Sequence, residues 1–159
     1  ILVELQALVS PTSYTSPRRS TTGVDYSRLQ QILAVLEKRV GIPLSKLDAY
    51  VASAGGLGVN EPAADLGIAI AVVASFRDRV VDPRTVLIGG QVRLVAQMEL
   101  RLKEAAKLGF KRAIVPKGQS FSDDIGIEII PVAKVIDAII AAIPPQPRIP
   151  NTLDFDEEE

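Results

Sequence analysis

The sequence predicts an α/β (α+β) layer structure, a mixed sheet covered by helices. Strand-type and helix-type apolar patterns alternate along most of the chain. Aromatic residues make up only 4% of its 159 residues, so Val, Ile, Leu and Ala have to build the core. A hairpin-like signal after the first strand favours a mixed sheet over a purely parallel one.

Residues 1–10 read as a strand. Ile1, Val3, Leu5, Ala7 and Val9 are all apolar and alternate with Leu2, Glu4, Gln6 and Leu8. Residues 11–22 are polar and punctuated by Pro, Ser and Thr. They suit a hairpin turn or a long exposed loop, with room for a second strand. Asp25 has the character of a helix N-cap, Leu29, Ile32, Leu33, Leu36 and Val40 follow at helical spacing, and Gly41 ends the run. Arg28, Glu37, Lys38 and Arg39 fall mostly off that apolar stripe.

Residues 48–54 form the next expected strand, with Gly55-Gly56 as the turn after it. Residues 61–76 read as one helix, apolar nearly all round and therefore central and buried. Pro62 suits its first turn, where a missing N–H costs nothing. Arg77, Asp78 and Arg79 mark its exposed end. Short strands are expected over 85–88 and 92–95, around Gly89-Gly90, then a helix over 97–108 stopped by Gly109. Residues 112–115 and 127–130 read as strands, and 132–143 as a last helix ended by Pro144-Pro145. Residues 1–143 thus make one domain. Residues 144–159 are proline-rich, then acidic, and are expected to be disordered.

Composition excludes several chemistries. There is no Cys, hence no disulfide and no thiolate metal site, and no His, hence no Ser-His-Asp triad and no His-ligated zinc hydrolase. Net charge is −1, but Asp154, Asp156, Glu157, Glu158 and Glu159 hold five of the 19 acidic residues. Without them 18 basic residues face 14 acidic ones, a mildly basic body of the kind that favours a polyanion and is also common in ordinary soluble domains. No apolar run approaches the roughly 20 residues that span a bilayer. A cytoplasmic setting is expected, with no membrane partner. A chain beginning at Ile1 reads as part of a longer protein.

The stretch Val59-Asn60-Glu61-Pro62-Ala63-Ala64-Asp65 follows a glycine pair and precedes a long apolar run. In Lon-type peptidases the corresponding turn carries a nucleophilic serine after the proline; here that position is Ala63. Further segments add to this likeness. They are residues 5–13 (LQALVSPTS), Pro17-Arg18-Arg19, Thr22-Gly23-Val24-Asp25-Tyr26, residues 33–39 (LAVLEKR), Gly55-Gly56-Leu57 and residues 101–110 (RLKEAAKLGF). Together, over most of residues 1–143, the chain resembles the C-terminal, Lon-protease-like domain of the RadA (Sms) family of bacterial recombination and DNA-repair ATPases.

The resemblance implies a fold like the second domain of a small-subunit ribosomal protein (S-five), with a left-handed βαβ crossover. It also implies a hexameric ring on DNA, single-stranded or branched. ATP, Mg and Zn would belong to upstream domains, and this fragment would hold no cofactor and no metal. Gly55-Gly56-Leu57-Gly58 lacks the Lys-Ser/Thr of a phosphate loop and reads as the tight connection into the buried helix. In the family a short loop separates the glycines after the Val86-Leu87-Ile88 strand. Here Ile88 runs directly into Gly89-Gly90-Gln91, by deletion or by omission of loop residues; omission fits better, because a direct join shortens a hairpin to almost nothing.

A Ser-Lys dyad needs a hydroxyl and a neutral amine. Aligning the third helix backward from Gly109 puts Arg101 at the lysine position, and arginine stays protonated. With Ala63 at the other position, both halves of the dyad are absent and peptidase activity is not expected. The alternative is a Lon-like peptidase with a displaced nucleophile, for which Ser53, Ser75, Ser120 and Ser122 are the remaining hydroxyls considered. Each reads as a surface or turn serine. Two sets of cations are candidates for DNA contact. Arg18 and Arg19 lie among Ser16, Ser20, Thr21 and Thr22, a mixture that suits phosphate oxygens and equally suits a solvated loop. Arg101, Lys103, Lys107, Lys111 and Arg112 form a basic run, for which an ordinary exposed face with a Glu99–Lys103 helix pair is the better explanation.

Overall fold

The computed structural model describes residues 2–89, 97–122 and 124–144. It holds two three-stranded sheets and four α-helices, and the mixed α/β class is as expected. The first sheet has the order β1-β3-β2, from β1 (Leu5–Pro11), β2 (Arg19–Thr22) and β3 (Leu47–Ser53). β3 is antiparallel to β1 and parallel to β2. Residues 11–22 therefore do not close a hairpin. They carry the chain across β3 to its far side. β1 also starts later than the alternation suggests, because its partner ends at Ser53, opposite Leu5. A strand lasts only while a neighbour supplies its hydrogen bonds.

α1 (Tyr26–Val40) has the expected ends. The Asp25 carboxylate accepts from the Arg28 N–H at 2.8 Å, and Gly41 adopts φ 77°, its N–H bonded to the Leu36 carbonyl. Leu29, Ile32, Leu33 and Leu36 are buried. The helix expected over 61–76 is two pieces. Pro62–Ala64 is a 3₁₀ turn, tightened by the Ala64 N–H on the Glu61 carbonyl at 3.0 Å, and α2 (Asp65–Phe76) follows. α2 is the central element, packed on β1, α1 and α4, with Leu66, Ile68, Ile70, Val72 and Val73 among its buried residues. At Gly67 it comes close to β1, where a Cβ would lie 2.8 Å from Leu5 Cδ1 and would push that side chain aside.

The second sheet, β4 (Thr85–Leu87), β5 (Arg112–Pro116) and β6 (Glu128–Val132), is wholly parallel in that order. α3 (Met98–Lys107) joins β4 to β5, and α4 (Val135–Ala142) follows β6. α4 starts later than its apolar pattern suggests, because Val132 is taken by the ladder, opposite Pro116. The strand expected over 92–95 and the segment 145–159 lie outside the described residues.

Side-chain alternation sorts the second sheet's two faces. Leu87, Ile114, Ile130 and Val132 join the large core built with α1, α2, α4 and the first sheet. Val86, Ile88, Ala113, Val115 and Ile129 join a smaller core under Met98, Leu102 and Ala105 of α3. α3 thus packs on the face opposite α2 and α4.

Candidate nucleic-acid interface and the turn before α2

The turn in front of α2 is tied down by polar contacts. Gly23 runs so close to it that a Cβ would fall 2.1 Å from Ser53 Oγ and 2.5 Å from the Leu57 carbonyl oxygen, and its φ of 71° suits glycine. The Gly23 carbonyl accepts from the Val59 N–H at 2.7 Å, and Val24 bridges to Val59. Ser53 is buried and donates to the Leu57 carbonyl. Arg28 closes the other side, with Nε 3.0 Å from Asp65 Oδ1 and Nη1 3.0 Å from the Asn60 carbonyl. Asp25, Ser27, Arg28, Gln31 and Asn60 line a shallow polar cavity of about 370 Å³ beside this clamp.

Of the four serines only Ser53 is buried, and Ser75 is half-buried. Ser53 holds the glycine turn. Ser75, on α2, accepts the outward Val9 N–H of β1 at 2.9 Å, which satisfies a strand that has no second neighbour among the described residues. Ser120 is exposed, and Ser122 donates to Glu99 Oε1 at 3.0 Å. Ala63 lies in the 3₁₀ turn, whereas Arg101 is exposed on α3, across the second sheet from α2. The fold places α3 on the sheet face opposite α2, the helix that follows Ala63.

The cations expected near DNA separate into committed and outward groups. Arg19 is committed: its guanidinium donates to the Leu44 carbonyl at 2.6 Å and to the Leu47 and Arg18 carbonyls, fastening β2 to the start of β3. Arg18 is exposed, its guanidinium 3.6 Å from the centre of the Tyr14 ring and its backbone N–H on Asp48 Oδ1 at 2.7 Å. Lys103 pairs with Glu99 at 2.7 Å, as the helix spacing suggested. Arg112 pairs with Glu128 at 3.3 Å. Arg101, Lys107 and Lys111 are exposed. The fold adds Arg84, missed in the sequence, because the Lys111 N–H bonds its carbonyl at 2.8 Å. Only the β4–β5 pairing brings these two residues together.

Electrostatics at these places are local. The Ser27 hydroxyl and the Arg28 N–H hold the Asp25 carboxyl below its usual range. The Arg84 side chain and N–H do the same for Asp82, and Lys103 with Ser122 for Glu99. Among the described residues no group of three or more acidic, Cys or His side chains is placed to hold a metal ion. No described helix is long and apolar enough to cross a membrane.

Relatives give the chain its context. It is 68% identical over 149 residues to the DNA repair protein RadA of Synechocystis sp., covering 91% of this chain. The chain belongs to the RadA family over the region that it spans. It is 50% identical over 146 residues to DNA repair protein RadA of Bacillus subtilis and 43% identical over 151 residues to that of Listeria monocytogenes, covering 87% and 91% of this chain. It spans 30–33% of the length of these three curated relatives. No family model matches the chain.

Proposed function

We propose that this region is a non-catalytic domain of a RadA-type DNA-repair ATPase, contributing DNA contact and assembly of a hexameric ring in the cytoplasm. The observation that carries the reading is the identity over about nine-tenths of the chain to proteins named for DNA repair. DNA contact falls to Arg18 and to the outward cations Arg101, Lys107 and Lys111. Arg19, Lys103 and Arg112 serve the fold first. A closed ring needs two different patches on each subunit, meeting head to tail. ATP, Mg and Zn are assigned to other parts of the parent protein. In support, this sequence has no phosphate loop, no Cys and no His.

The absence of peptidase chemistry is part of the proposal. The turn that would need a hydroxyl carries Ala63, and Arg101 is exposed on the far side of a sheet. A displaced nucleophile has little support, since the Ser53 and Ser75 oxygens are occupied by backbone groups.

DNA retention over a salt series tests the reading. The parent is expected to bind without sequence preference and to weaken steeply with salt. Changing Arg101, Lys107 and Lys111 together to Ala is expected to lower affinity and flatten the salt slope by about one for each phosphate no longer neutralised. No retention at low salt, or serine-specific labelling of the chain by a phosphonate probe, would overturn it.

A further inference from the structure

The outward face of the first sheet carries three cross-strand rows. Leu8, Tyr50 and Ser20 form the central row, and Gln6, Ala52 and Thr22 the next. The third holds Ser10 and Asp48, and Arg18 adjoins it just before β2, its carbonyl accepting from the Ala49 N–H at 2.9 Å. The inward residues of the same strands, Ala49 and Val51, are buried in the main core. Of the outward ones only Asp48 is buried. Leu8 is 60% exposed, Gln6, Ser20 and Thr22 are exposed, and Tyr50 is half-buried. Among the described residues no helix or strand covers this face. At its Arg18 end, the guanidinium stacks on the exposed Tyr14 ring.

The chemistry of the face is specific. It offers two aromatic rings, one guanidinium plane, three hydroxyls and an amide. Its two carboxylates are occupied: Asp48 is buried and accepts the Arg18 N–H, and Glu4, beyond the far row, accepts from the Gln6 amide at 2.9 Å. Only Leu8, Ala52 and the Tyr50 ring are apolar, which is thin for an interface with a second copy, whose centre is ordinarily more apolar. Flat rings and a guanidinium suit the faces of unpaired bases, and hydroxyls suit their edges and the phosphates between them. A duplex hides those base faces.

We propose that the outward face of β1-β3-β2, with Tyr50 at its centre and the Tyr14–Arg18 stack at its end, is a binding site for single-stranded DNA that takes unpaired bases. That the polymer is DNA rests on the function proposed above; the site and its preference for unpaired bases rest on the geometry of the sheet.

Fluorescence anisotropy of the whole chain tests this with three labelled probes: oligothymidylate, an abasic strand of the same length, and a duplex. Oligothymidylate is expected to bind more tightly than the abasic strand. Tyr50→Ala is expected to weaken oligothymidylate binding about tenfold and leave the duplex unchanged, while Tyr50→Phe retains binding. The double change Tyr14→Ala, Arg18→Ala lies outside the strand ladders and is expected to act in the same direction without disturbing the fold. The site is overturned if these variants bind oligothymidylate like the parent, or if the abasic strand binds equally well. It is also overturned if Tyr50→Ala changes the sedimenting mass while affinity is unaltered, which would make the face a contact between copies. Equal binding of strand and duplex, indifferent to Tyr50, removes the site and leaves general DNA contact standing. Binding of neither removes both.

Discussion

The two sheets differ in how they are covered, and their sequences differ accordingly. β5 is buried on both sides, and its Ala113, Ile114, Val115 and Pro116 form an unbroken apolar run. β1 is covered on one side, and its Leu5, Ala7 and Val9 alternate in burial with exposed Gln6 and Leu8. A parallel sheet between helix layers has no solvent face to write in polar residues; a sheet packed on one side does. The difference teaches where function has room. The central strand of the second sheet is scaffold, and the first sheet presents a surface.

The sharpest test of that contrast is a pair of truncations followed by urea unfolding. Ile114→Ala is expected to cost about 3–4 kcal/mol, since its side chain is buried between β5 and the helices of the main core. Leu8→Ala is expected to stay within about 0.5 kcal/mol. A large loss at Leu8 would mean that something covers the outward face in solution, and the contrast would break.

A second comparison concerns two glycines with similar backbone angles. Gly23 and Gly55 have φ of 71° and 72°, but only Gly23 has neighbours where a Cβ would go. Gly23→Ala is expected to lose on the order of 2 kcal/mol or more, by clash and backbone strain together. Gly55→Ala should lose about 1 kcal/mol from strain alone. Equal midpoints in thermal melts of the two variants would show that the Gly23–Ser53–Leu57 crossing yields easily.

The smallest effect is expected at the start of α1. The Asp25 carboxyl titrates below its usual value when folded, so its contribution is fully present above the ordinary carboxylate value and is lost as pH falls from there through the lowered folded value. Asp25→Ala should therefore be less stable than the parent near neutral pH, and the gap should close in acid. A gap that persists at low pH would show that the cap acts through packing and not through charge.

Much of the fold was legible in the sequence because it rests on local rules. Asp25 and Gly41 bounded α1, the odd-numbered apolar set chose the inward face of β1, and the nearly all-apolar run after Pro62 marked the central helix. Less of the candidate site was legible. Arg18 and Arg19 are neighbours of one type, yet one stacks on Tyr14 and the other is spent on carbonyls of Leu44 and Leu47. The partner of Arg18 is four residues away, but the carbonyls that take Arg19 come from the start of β3, and no local pattern announces them. Of the two readings of residues 11–22, the hairpin turn was not realised and the loop with a second strand was, for a related reason. Turn residues announce a change of direction but do not say which strand the chain will pair with.

By itself, the sequence determined the alternation of strands and helices, the absence of His and Cys chemistry, Ala63 in the turn before α2 and the likeness to RadA. These follow from residue identity and short-range periodicity. Tertiary structure alone decided that β3 lies between β1 and β2, that α3 packs across a sheet from α2, and that Tyr50 and Arg18 share one open face. Strand order, helix side and shared surface depend on contacts between residues far apart in the chain, and such contacts leave no local signature.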